Sequence, residues 1–171
     1  MIQQLINHFL KRKEVKEIIT ILEKASLELR FVGGCVRNLL MQRKITDIDL
    51  AIKAHPDEII ATLEKNKILY DDFAKKYGSV IAHLNKQKFE ITSLREDINQ
   101  QGRHTNIRYT KNWKIDSQRR DFTINSIYAD INGNLYDPFN GKRGLELGKV
   151  EFIGDIEKRI KEDYLRILRY V

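Results

Sequence analysis

Cysteine and proline are almost missing from this chain: one and two respectively in 171 residues, with nine glycines. A single thiol, Cys35, closes no internal disulfide and builds no Cys-rich zinc site, and it fits a reducing compartment. So little proline and glycine excludes collagen-like and low-complexity chains, and 42% hydrophobic residues exclude a disordered one. No apolar run approaches the roughly 20 residues of a membrane-spanning helix. The N-terminus lacks a signal-peptide pattern, and Glu14 and Glu17 are out of place in a transit peptide. These absences predict a soluble, cytoplasmic protein with no membrane partner. Positive charge is what the chain has in excess: 31 Lys and Arg against 24 Asp and Glu, a formal +7. Such a surplus favours a polyanionic partner.

Apolar spacing organises the rest. Ile2, Leu5, Ile6 and Phe9, then Val15, Ile18, Ile19 and Leu22, recur at helical intervals, predicting one or two amphipathic helices before residue 29. Arg30-Phe31-Val32 reads as a strand running into Gly33-Gly34, where a helix opens. A second strand covers Ile48 to Ile52, and Pro56 opens another helix. Ser79–Leu84 and Lys88–Leu94 read as an antiparallel pair. Polar residues dominate from Arg95 to Asn112, which predicts a long loop, and strand segments are expected through Ile124–Ile131. From Asp155 onward Ile156, Ile160, Ile167 and Val171 space helically up to the last residue. The fold class is α+β, with a mixed or antiparallel sheet flanked by helices.

Asp47-Ile48-Asp49 is the sharpest chemical feature. Residues two apart on a strand share a face, so the carboxylates project together while Ile48, Leu50 and Ile52 line the buried side. Two adjacent carboxylates repel unless a cation sits between them. Mg²⁺ suits, since it takes one or two carboxylates and completes its shell with water and phosphate oxygens. The plain alternative is a solvated strand end kept polar. Gly33-Gly34-Cys35-Val36-Arg37 sets glycines and an arginine at a strand-to-helix junction, where backbone N–H groups and a guanidinium can meet an anion. A tight structural turn would look the same. Glu90 lies on a strand as a third carboxylate or a surface glutamate. Arg119-Arg120-Asp121-Phe122-Thr123-Ile124-Asn125 supplies cations for phosphate and Asp and Asn for sugar hydroxyls, or a basic turn with an Asp cap. Glu162, Asp163, Arg166 and Arg169 share one helix face, as ordinary salt pairs also would.

In this order the motifs resemble the head and neck of the bacterial-type (class II) tRNA nucleotidyltransferase and poly(A) polymerase family. Phe89-Glu90-Ile91-Thr92-Ser93-Leu94-Arg95 and Gly102-Arg103-His104 are closer to its CCA-adding branch. The resemblance implies a polymerase-beta-like nucleotidyltransferase sheet. It divides the chain into N-terminal helices (1–28), the head (29–140) and the start of a helical neck (141–171). It implies addition of CMP and AMP from CTP and ATP to the 3′ end of tRNA, with release of pyrophosphate and with Mg²⁺ as cofactor. Asp47 and Asp49 match the metal carboxylates and Glu90 a helper beside them. Gly33, Gly34, Arg37 and Arg120 match the triphosphate positions, with Asp121 and Asn125 in the same block. Asp163, Arg166 and Arg169 match the neck residues that select the base. Asp130, Gly133 and Arg143 resemble the hinge motif. Family members continue through body and tail domains that grip tRNA; here those domains, or a second copy of the chain, would have to do so. A poly(A) polymerase, a CC- or A-adding enzyme and a catalytically deficient RNA-binding head are the rival readings. The chain departs from the family pattern at Asn38, where Asp is usual, at Met41-Gln42 and at Ser126.

Overall fold

The computed structural model describes residues 2–101, 104–162, 165 and 169. Helices α1 (Ile2–Leu10) and α2 (Lys13–Lys24) open the chain. Strand β1 (Leu29–Val32), helix α3 (Gly34–Leu40), strand β2 (Ile48–Ile52) and helix α4 (Pro56–Lys65) follow. Helix α4 starts where it does because His55 Nδ1 accepts from the Asp57 N–H at 3.1 Å while Glu58 Oε2 accepts from the His55 N–H at 2.8 Å. Those bonds satisfy donors that the first turn leaves open. Next come β3 (Leu69–Asp71), β4 (Ser79–Leu84), β5 (Gln87–Ser93), β6 (Arg95–Gln101) and β7 (His104–Tyr109). Helix α5 (Trp113–Gln118), a 3₁₀ turn over Thr123–Asn125, β8 (Tyr128–Ala129), β9 (Leu135–Tyr136), α6 (Gly141–Leu147) and α7 (Ile156–Glu162) follow.

Seven strands form one sheet in the order β3-β4-β5-β2-β1-β8-β9. The β2–β5 pair is parallel and the other neighbours antiparallel, so the sheet is mixed, as expected. Alternation along the central strands divides its faces. Phe31, Ile48, Leu50, Ile52, Phe89 and Ile91 point into a core shared with Ile6, Phe9, Ile18 and Leu22 of the first two helices and Ile59 and Leu63 of α4. Each such side chain contributes about 1.5–3 kcal/mol on burial, which holds the helices to this face. The opposite face carries Val32, Ala51 and Tyr128, packed against Trp113 of α5 and Leu94. Asp49 and Glu90 lie on that second face by the same alternation.

Two expectations about the middle of the chain need correction. Most of residues 95–112 is strand, not loop: β6 and β7 pair antiparallel from Arg95↔Tyr109 to Gln101↔His104. Their alternation is hidden in sequence because none of their described residues belongs to the hydrophobic core. Polar pairs such as Arg108 Nη2–Glu96 Oε2 at 2.8 Å stand where apolar residues would mark a strand. The Ile124–Ile131 region carries only the 3₁₀ turn and the two-residue β8. The short edge strand β3 gave no signal, since Leu69 is 77% exposed and the strand is three residues long.

Candidate active site

The parallel register of β2 and β5 sets Asp49 directly beside Glu90. Asp47 precedes β2 by one residue, in an exposed bend at its entrance. The turn into α3 closes over this corner: Gly33 has φ +74°, and a Cβ there would sit 3.4 Å from Asp49 Oδ2. Only a residue tolerant of positive φ lets the backbone pass so near a carboxylate. Burial, then the charge of Glu90, push the Asp49 carboxyl up to about 6, with Asp47 adding to the rise and Arg120 opposing it. Unrelieved negative charge at a half-buried aspartate is what a cation would relieve. Among the described residues no group of three or more His, Cys, Asp or Glu side chains is placed to hold a metal ion. A site here therefore rests on the Asp47–Asp49 pair, which is within what Mg²⁺ accepts.

Beside the carboxylates opens a cleft of about 390 Å³. Arg37, Arg95, Arg119, Arg120 and Arg169 line it, with Asp97 and Asp121 as its acids and Gly33, Gly34 and Asn125 between them. Five guanidinium groups against two carboxylates make a basin for a polyanion. The sequence block 119–125 splits its work. Asn125 Oδ1 accepts from Arg37 Nη1 at 2.8 Å, which joins the α3 arginine to the 3₁₀ turn. Asp121 Oδ2 pairs with Arg169 Nε at 2.9 Å, bringing a residue near the end of the chain to the cleft. Asp121 and Asn125 thus orient arginines of the cleft. Asp163 and Arg166 lie outside the described residues. Cys35 is buried beneath this corner, its thiol donating to the Val32 carbonyl at 3.3 Å, and burial pushes its pKa up to about 12.

Residues 29–151 match the poly(A) polymerase head domain. The chain belongs to this family. It is 39% identical over 170 residues to the mitochondrial CCA tRNA nucleotidyltransferase 1 of Danio rerio, covering 94% of this chain and 39% of that protein. It is 37% identical over 158 residues to the CCA-adding enzyme of Staphylococcus haemolyticus, covering 91% of this chain and 38% of that one. The Bacillus stearothermophilus CCA-adding enzyme, solved in complex with CTP, superposes with a TM-score of 0.78 at 32% identity, over 90% of this chain and 36% of that one. The chain thus spans about two fifths of the length of these relatives. No helix among its described residues is long and apolar enough to cross a membrane.

Sequence reading of this head domain missed the group that builds the cleft wall. Asp116 is wholly buried and gathers four donors: the Arg95 N–H at 3.1 Å, Arg119 Nε at 3.2 Å, Arg120 Nη2 at 3.2 Å and the Tyr128 hydroxyl at 2.6 Å. Burial alone would raise its carboxyl, but the Arg119 and Arg120 charges and these hydrogen bonds prevail and hold it at about 2. The same contacts keep Arg120 charged despite its burial. From α7, Arg159 Nη2 donates to the Arg119 and Arg120 carbonyls at 2.7 and 2.5 Å, so the backbone of the arginine pair is held as well. A signal for Asp116 was available: it precedes the two arginines by three and four residues, the spacing of neighbours on a helix.

Proposed function

We propose that this chain is the catalytic head of a template-independent nucleotidyltransferase that adds CMP and AMP from CTP and ATP to the 3′ end of tRNA, releasing pyrophosphate. The observation that carries this reading is the meeting of the Asp47–Asp49 corner with a five-arginine cleft across the Gly33-Gly34 turn. Its sequence relatives are named for CCA addition, and a structural relative at 32% identity was solved with CTP.

In this mechanism Asp47 and Asp49 hold Mg²⁺, which when bound would neutralise triphosphate charge and acidify the attacking hydroxyl. Arg37 and Arg120, with the backbone of Gly33 and Gly34, bind the triphosphate and align its α-phosphate for in-line attack. Asn125 fixes Arg37 and Asp116 fixes Arg120, so both cations are already in place before the nucleotide arrives. Glu90 sustains the negative field that a metal must answer. Asp163 and Arg166, with Arg169, select the base: a carboxylate and a guanidinium match the amino donor and ring-nitrogen acceptor shared by cytosine and adenine. We assign the activity to the cytoplasm, where the buried Cys35 thiol stays reduced.

Product analysis tests the reading. Incubated with Mg²⁺, CTP, ATP and tRNA lacking its terminal CCA, the protein should extend the tRNA by C, C and A and release pyrophosphate. Asp49→Ala should remove addition while circular dichroism stays unchanged. A run of A alone would favour poly(A) synthesis, the activity in the family's name. Addition by Asp49→Ala within tenfold of the parent would sink the metal assignment.

A further inference from the structure

The segment joining α3 to β2 carries two adjacent cations, Arg43 and Lys44, four and three residues before Asp47. Three or four extended residues reach about 11–14 Å at most, which bounds the distance of both from the backbone of Asp47. Across the parallel register Ile48 faces Phe89, and continuing it by one residue sets Lys88 beside Asp47, on the same face as Glu90. All three cations are exposed, and none has a carboxylate partner among the described residues.

The backbone beneath them is held firmly. Gln87 Nε2 donates to the Thr46 carbonyl at 2.6 Å, and Asn38 Nδ2 donates to the Lys44 carbonyl at 3.3 Å. The Arg43 N–H donates to the Asn38 carbonyl at 2.8 Å, and Ile45 is only 7% exposed, plugged into the core. Asn38 also accepts from Arg37 Nε at 3.3 Å, so one amide ties this segment to the triphosphate arginine. An aspartate at 38 could accept from Arg37 but could not donate to the Lys44 carbonyl.

We propose that Arg43, Lys44 and Lys88 form a phosphate-binding rim for the RNA strand whose 3′-hydroxyl is extended. The inference rests on the function proposed above. In-line transfer places the attacking hydroxyl opposite the departing pyrophosphate. None of the three cations lines the arginine cleft assigned to the triphosphate. With the pyrophosphate end in that cleft, the strand is left to reach the aspartates from outside it, over this rim. Cations fixed on a pinned backbone lose less freedom on binding than cations on a loose one.

The test is the triple variant Arg43→Gln, Lys44→Gln, Lys88→Gln, compared with the parent in two assays. Fluorescence anisotropy of labelled tRNA lacking CCA, across a salt series, should show about tenfold weaker binding at low salt. The slope of log K on log salt should be shallower by about 2, from three contacts at about 0.7 each on a single strand. In the addition assay KM for tRNA should rise while KM for CTP and the Mg²⁺ dependence stay put. Unchanged tRNA affinity and salt slope would overturn the rim. So would a change confined to Mg²⁺ or CTP, which would mean that the cations merely screen the aspartates. A parent protein that binds tRNA but adds nothing would count against the proposed function and still leave the binding comparison decisive for the rim.

Discussion

Exchanging Asp116 for asparagine removes one charge from the buried centre of the cleft wall and almost nothing else. The amide matches the carboxylate in volume, but it can no longer compensate Arg119 and Arg120, and its NH₂ faces groups that are all donors. Removing one partner of a buried ionic network costs about 3–5 kcal/mol, because the remaining charges stay buried without compensation. The carboxyl offers an independent check. Its pKa is about 2 in the fold against an ordinary 3.8. At 1.36 kcal/mol per pH unit, ionisation of Asp116 contributes on the order of 2 kcal/mol at neutral pH. A depressed pKa stabilises the fold above the unfolded value, so this contribution is complete well above pH 3.8. It falls to roughly half at pH 3 and disappears as pH drops through about 2. Urea unfolding of parent and Asp116→Asn at pH 7, 5 and 3 should give a stability difference of about 3 kcal/mol at pH 7 that narrows at pH 3. The weakened wall should also raise KM for CTP. A difference under about 1 kcal/mol at pH 7, or one that does not change with acidification, would refute this account of the network.

Three further outcomes are expected. Asp49, raised to about 6, runs opposite to Asp116: its protonated form favours the fold, so that contribution is present below pH 3.8 and lost as pH rises through about 6. Because metal binding needs the ionised form, Mg²⁺ affinity by calorimetry should be flat above pH 7 and decline by up to about tenfold per unit below pH 6; a flat profile from pH 7 to 5 would contradict the assignment. Gly141→Ala would place a Cβ 2.1 Å from the Thr123 carbonyl oxygen, so the turn holding Asn125 must move. A loss of about 1–3 kcal/mol with a raised KM for CTP is expected, and full stability would show that the turn yields freely. Arg37→Lys keeps the charge but loses the fork that meets Asn125 and would leave a second arm for a phosphate, so KM for CTP should rise about tenfold with KM for tRNA unchanged.

Patterns with a short period were legible in the sequence alone. Alternation in Ile48–Ile52 separated the core residues from Asp49, helical spacing marked the N-terminal region as one or two helices, of which the fold makes two, and the glycine pair marked the turn that closes the corner. Each depends on neighbours within a few residues, and there the covalent chain dictates which side chains share a face. The tertiary structure decided what depends on partners far along the chain. Glu90 became Asp49's neighbour only through the register of two strands about 40 residues apart in sequence. Asp121 reached Arg169, and Asn125 reached Arg37, by closures that no local period records. The β6–β7 pair was illegible for the converse reason: none of its described residues belongs to the hydrophobic core, so its strands need no apolar alternation. Asp116 shows both limits in one residue. Its three- and four-residue spacing to Arg119 and Arg120 stood in the sequence, but only burial in the fold turns an ordinary surface pair into the fixed anion that shapes the cleft.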